Sequence, residues 1–69
     1  MDEMKAAVAE LAAAMVEARR VWPDGLVLPS VCGGLYYVET LHGDWLGNVE
    51  RRRGRWVTYS RHEIIAGRR

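Results

Sequence analysis

Residues 35–60 read LYYVETLHGDWLGNVERRRGRWVTYS, and the way this stretch divides decides the fold. β-branched and aromatic residues dominate it. Two short glycine-containing segments, His42-Gly43-Asp44 and Arg52-Arg53-Gly54, interrupt it and read as hairpin turns. Three consecutive antiparallel strands follow, over about 35–41, 45–51 and 55–60. Suppose each loop holds three residues, with Gly54 supplying the positive φ of a bulge. Leu41 then falls opposite Trp45, Tyr37 opposite Val49, and Val49 opposite Val57. Gly47 lies between Glu39 and Tyr59, where an aromatic ring can cover it. One coherent apolar face results: Leu35, Tyr37, Leu41, Trp45, Val49, Val57 and Tyr59. The other face carries Tyr36, Val38, Thr40, Leu46, Asn48, Glu50, Trp56 and Thr58. A solvated sheet face is normally polar, so Tyr36 and Trp56 there point to a second packing layer or a binding surface. A one-residue change in either loop would flip a strand and exchange these sets.

Upstream, residues 3–21 read as a helix. Asp2 suits its N-cap, Glu3 suits the first turn, and Arg19 and Arg20 suit its carboxyl end. Seven alanines within it give high helix propensity. Met4, Val8, Leu11, Met15, Ala18 and Trp22 form a narrow apolar stripe. Packing of that stripe on the sheet is the simpler expectation, because a small sheet needs a covering layer. A dimer seam is the alternative, and a monomer is expected. Glu3, Glu10 and Glu17 recur every seven residues along one ridge, either solvated or set to meet a basic partner.

Trp22-Pro23-Asp24-Gly25 stops the helix. Residues 26–28 suit a short strand, which Pro29 confines to an edge. After the meander, Ser60-Arg61-His62-Glu63 matches a capping box. Residues 61–66 therefore suit a turn or two of helix, with a continued last strand as the alternative. Arg68 and Arg69 are expected to fray. The expected fold is a single α+β domain over residues 1–69: an N-terminal amphipathic helix on an antiparallel meander of three or four strands.

Composition narrows the function. A 69-residue chain buries a modest core. Its 49% apolar content argues against disorder. No apolar run is long enough to span a membrane. The segment MDEMKAAVAE lacks the basic and apolar blocks of a signal peptide, so a cytoplasmic protein is expected. The single Cys32 fits a reducing compartment. The net charge of +1 is low for a dedicated nucleic-acid binder. Cys32 with His42 or His62 is the only nucleophile–base combination worth naming, and no family signature surrounds it. One cysteine and two widely spaced histidines do not make a zinc pattern. Phosphate-loop and dinucleotide motifs are missing. Neither catalytic residues nor a cofactor or metal are expected.

The distinctive feature is Arg51-Arg52-Arg53-Gly54-Arg55-Trp56, four guanidinium groups at a hairpin tip beside an indole. Arg, Trp and Tyr dominate protein-interface hot spots. The expectation is a small non-enzymatic protein-binding module. Phage and mobile-element inhibitors or adaptors that block a host protein or nucleoprotein complex, such as anti-CRISPR proteins, are of this kind. Its contacts would come from Arg51, Arg52, Arg53, Arg55, Trp56, Tyr36, Glu3, Glu10 and Glu17. The alternative is a nucleic-acid-binding domain, since Arg grips phosphate and Trp stacks on bases.

Overall fold

In the computed structural model, which describes residues 2–67, the alanine-rich segment Asp2–Val21 forms one helix, α1. Arg68 and Arg69 lie outside the described residues. Asp2 is the first helical residue and not an N-cap, so its charge joins that of Glu3 in the first turn. The helix ends as expected: the Gly25 N–H returns to the Trp22 carbonyl at 3.0 Å. Four strands follow, β1 (Leu26–Pro29), β2 (Leu35–Glu39), β3 (Trp45–Arg52) and β4 (Arg55–Ser60). They form one antiparallel sheet in the order β1-β2-β3-β4. The chain then enters α2 (Arg61–Ile65) through a full capping box. The Ser60 N–H donates to Glu63 Oε1 at 2.9 Å, and the Glu63 N–H donates to Ser60 Oγ at 3.3 Å.

The register corrects the expected one in both hairpins. Val49 faces Tyr36 and Thr58, not Tyr37 and Val57. The Arg52–Arg55 pair closes a two-residue turn, with Arg53 at φ 53° and Gly54 at φ 78°. Two successive positive φ values match the twist of the flanking strands, so the hairpin adopts the tighter turn despite an arginine at its first position. In the first hairpin β2 ends at Glu39, and Thr40 organises a longer loop. Its Oγ1 accepts the N–H groups of His42 and Asp44, and its own N–H donates to the Asp44 carbonyl. Leu41 is therefore a loop residue and largely exposed. The pairing also slips between Val38/Gly47 and Glu39/Trp45, where Leu46 is the extra residue of a bulge.

Cross-strand partners share a face, so the register sorts the sheet into rows. Under α1 lie Pro29-Tyr36-Val49-Thr58, Val27-Val38-Gly47-Ser60 and Arg51-Trp56. Away from it lie Leu28-Tyr37-Asn48-Tyr59, Leu35-Glu50-Val57 and Leu26-Glu39-Trp45. The face that the sequence offered as the apolar core face is mostly the one the helix leaves uncovered.

The core is small. Ala14, Ala18, Tyr36, Val38 and Val49 are buried, and Leu11, Trp22, Val27, Leu46 and Trp56 pack around them. The two alanines let the helix backbone approach the strands. Gly47 performs the same service on the sheet: a Cβ there would stand 2.7 Å from Cη2 of Trp22 and overlap the Tyr59 carbonyl oxygen. An aromatic ring does cover Gly47, and it is that of Trp22. The apolar stripe reaches the sheet only from Leu11 onward. Every residue from Asp2 to Ala9 is exposed, Met4 and Val8 included.

Candidate protein-binding surface

Glu10 and Glu17 do not stand on a solvated ridge. Both turn down onto the sheet. The Glu10 carboxylate accepts the Gly34 N–H at 3.2 Å and the Tyr36 hydroxyl at 3.4 Å through Oε1. Its Oε2 pairs with Arg51 Nη1 at 3.3 Å. Three points on β2, β3 and the turn before them are thus tied to one helical side chain. Glu17 accepts the Thr58 hydroxyl at 2.9 Å and is bridged by Arg20 at 2.8 Å. The Arg20 hydrogen bond, helped by Thr58 and opposed by partial burial, holds the Glu17 carboxyl below the usual glutamate range. Burial, and then the Glu10 charge, push the Tyr36 phenol above the usual tyrosine value. Glu3, the third member of the heptad series, is exposed.

The four arginines of the hairpin separate by face. Arg51 lies on the helix side, 5.9 Å from the Trp56 ring centroid, with Glu10 as its counter-ion. Arg52 lies on the open side. It holds Glu50 through Nε at 3.1 Å and Nη2 at 2.8 Å, and its guanidinium stands 6.0 Å from the Tyr59 ring centroid. Arg53 sits in the turn and Arg55 opposite Arg52; among the described residues neither has an ion-pair partner. Trp56 is half-buried and tilted against Tyr36, with ring centroids 5.6 Å apart. Tyr36 is itself buried beneath α1. The two rings pack together beside Arg51 and Glu10, Tyr36 buried and Trp56 still partly exposed.

Different aromatics occupy the open face. Tyr37 (39% exposed) and Leu28 (40%) stand in one row with Asn48 and Tyr59. Leu26, Leu35, Trp45 and Val57 fill the neighbouring positions, most of them half-buried. Two polar side chains anchor the centre. Asn48 accepts the Trp45 indole N–H at 3.0 Å, and Glu50 holds Arg52; both are buried. The face is therefore ordered by its own hydrogen bonds. The sequence groups Leu35, Tyr37, Trp45, Val57 and Tyr59 on one face but offers that face as the core. Only the loop lengths distinguish the two assignments.

Cys32 is exposed in the turn between β1 and β2, where the Ser30 hydroxyl accepts its N–H. Among the described residues, no hydrogen bond joins it to His42 or His62, and no group of three His, Cys, Asp or Glu side chains could hold a metal ion. No described helix is long and apolar enough to cross a membrane. No protein-family model matches the chain, and no curated protein or solved structure matches it.

Proposed function

We propose that the protein is a small non-enzymatic protein-binding module that acts by occupying a partner's surface. Small phage and mobile-element inhibitors or adaptors block a host protein or nucleoprotein complex in this way. The observation that carries the reading is the open sheet face. It presents an ordered set of tyrosines, a tryptophan and aliphatic residues on the side of the sheet away from α1, with Tyr37, Leu28 and Leu26 more than a third exposed. Exposed contiguous apolar surface rimmed by charge marks interaction sites. Arg53 and Arg55, without counter-ions among the described residues, supply that rim. The nucleic-acid alternative draws less support: Trp56 packs against Tyr36 and Arg51, and Arg51 and Arg52 already hold glutamates.

The test is photo-crosslinking in nuclease-treated host lysate. A benzoylphenylalanine at Tyr37 is compared with one at Val16, on the outer surface of α1. A stoichiometric protein adduct from position 37 and none from position 16 is expected. Adducts only from position 16, or recovery of nucleic acid alone from an untreated lysate, would overturn the reading.

A further inference from the structure

The two edges of the sheet are finished differently. β1 is four residues long and ends in Pro29, which has no N–H to offer. β4 is six residues long and has no proline. Its outward-facing groups follow from the ladder. The Arg51 N–H donates to the Gly34 carbonyl, away from β4. By alternation Glu50 and Arg52 turn their backbone groups toward β4, so their partners Val57 and Arg55 face inward. Trp56, Thr58 and Ser60 therefore aim their N–H and C=O groups outward.

One of these three outward N–H groups meets a carboxylate: that of Ser60 donates to Glu63 Oε1 at 2.9 Å. Glu17 takes the Thr58 hydroxyl at 2.9 Å. A glutamate oxygen at Ser60 thus stands where a carbonyl of a fifth strand would be. Among the described residues nothing comparable reaches Trp56. Cations flank the same edge: Arg53 and Arg55 at one end and Arg61 at the other, all exposed and, among the described residues, without ion-pair partners.

These features select an occupant. A second copy pairing antiparallel through Thr58 would set Arg55 against Arg61 of the other molecule, and pairing through Val57 would set Arg53 against Arg61. Like charges directly opposite are unfavourable. A nucleic acid would answer the cations but leave the outward carbonyls without donors. An extended peptide with acidic residues at its ends answers both. We propose that the outer edge of β4, from Trp56 to Ser60, captures an acidic extended polypeptide segment as a fifth strand. Its backbone pairs with Trp56 and Thr58, and its carboxylates meet Arg53, Arg55 and Arg61. Glu17 gives up Thr58 when the segment enters and keeps Arg20. The inference rests on the protein-binding reading above and names the partner's chemistry.

The experiment is an NMR titration of the ¹⁵N-labelled chain with an acetylated, amidated hexapeptide, Glu-Val-Thr-Val-Thr-Glu. Saturable shifts centred on the Trp56 and Thr58 amides are expected. Affinity should fall at least about tenfold in Arg55→Glu/Arg61→Glu, two exposed positions where the fold is not at stake. The same peptide with Lys for Glu should leave the spectrum unchanged. Three results would overturn the proposal: no saturable shift at millimolar peptide, equal binding of the Lys peptide, or a thymidine oligonucleotide that binds the same residues more tightly than the acidic peptide. If the peptide fails while the position-37 crosslink still captures a protein, this inference falls and the open-face reading stands. If the peptide binds and no crosslink forms, the reverse holds.

Discussion

Tyr36 and Tyr37 are neighbours in β2, yet they belong to the two sides of the sheet and to two different kinds of surface. The helix side is closed by small residues and crossed by polar ties. Ala14 and Ala18 bring α1 close, Gly47 admits Trp22, and Glu10 and Glu17 bind helix to strands. The open side exposes Tyr37, and its hydrogen bonds run within the sheet, from Trp45 to Asn48 and from Arg52 to Glu50. Both sides are apolar and both are ordered, but only one lies under α1. In a domain with stability of about 3–10 kcal/mol, leaving Tyr37, Leu28 and Leu26 more than a third exposed forgoes stabilisation that the fold needs. This is the physical argument behind the proposed partner.

The sharpest way to break the contrast is at Gly47. In Gly47→Ala the new methyl overlaps the Tyr59 carbonyl and presses on Trp22. Since backbone and a large ring must both move, a loss of about 3 kcal/mol or more is expected. Urea denaturation should show most of the fold's stability gone. The tyrosines come next. Tyr36→Ala removes a buried ring and its hydrogen bond to Glu10, at a cost of about 3 kcal/mol. Tyr37→Ala should cost less than about 1 kcal/mol and instead abolish partner capture. Equal losses at the two positions would mean that the open face is structural.

The difference between these neighbours also shows what was legible in the sequence. Helix, strands, turn locations and the capping box could all be read, because each is written in local propensity and punctuation. Register could not. Leu35, Tyr37, Val57 and Tyr59 alternate with Tyr36, Val38 and Trp56, so both parities are apolar and the period of two does not choose between them. The choice fell to loop length. Arg53-Gly54 is a poor advertisement for a two-residue turn, which ordinarily carries Asn-Gly. The bulge at Leu46 has no local sign at all. The same limit hid the roles of Glu10 and Glu17. Heptad spacing places them on one ridge, but their partners Gly34, Arg51 and Thr58 lie 24 to 41 residues away. Only the assembled sheet reveals that the ridge faces inward.

Glu10 and Glu3 turn that point into a measurement. Glu10→Ala leaves the Gly34 N–H and the Tyr36 hydroxyl without their acceptor and Arg51 without its counter-ion, a loss of about 1–2 kcal/mol. Glu3→Ala, in the exposed first turn, should change stability by less than about 0.5 kcal/mol. Glu17 gives a pH-dependent version. Its carboxyl is held below the usual range by Arg20 and Thr58. The charged form is therefore the one the fold prefers, and its stabilisation is complete above the unfolded value of about 4.3. It is lost as the pH falls through the lower folded value. The melting temperature of the wild type should drop between pH 5 and pH 3 by more than that of Glu17→Gln. Parallel profiles would mean that the Glu17 charge, and with it the Arg20 pair, contributes nothing.

A small gain tests the register itself. Arg53 occupies φ 53°, a left-handed conformation that an arginine adopts at some cost and an asparagine adopts readily. If the second hairpin turns through Arg53-Gly54, Arg53→Asn should raise stability by about 0.5–1 kcal/mol, a few degrees in melting temperature. If the loop instead held three residues with Gly54 alone at positive φ, the substitution would be neutral or slightly harmful. The β3–β4 rows would then shift by one, and Val57 and Tyr59 would return to the helix side. A gain at position 53 therefore supports the two-sided assignment of the aromatics. It does so without touching either face, because the substituted side chain lies in the turn beyond the last paired residues, Arg52 and Arg55.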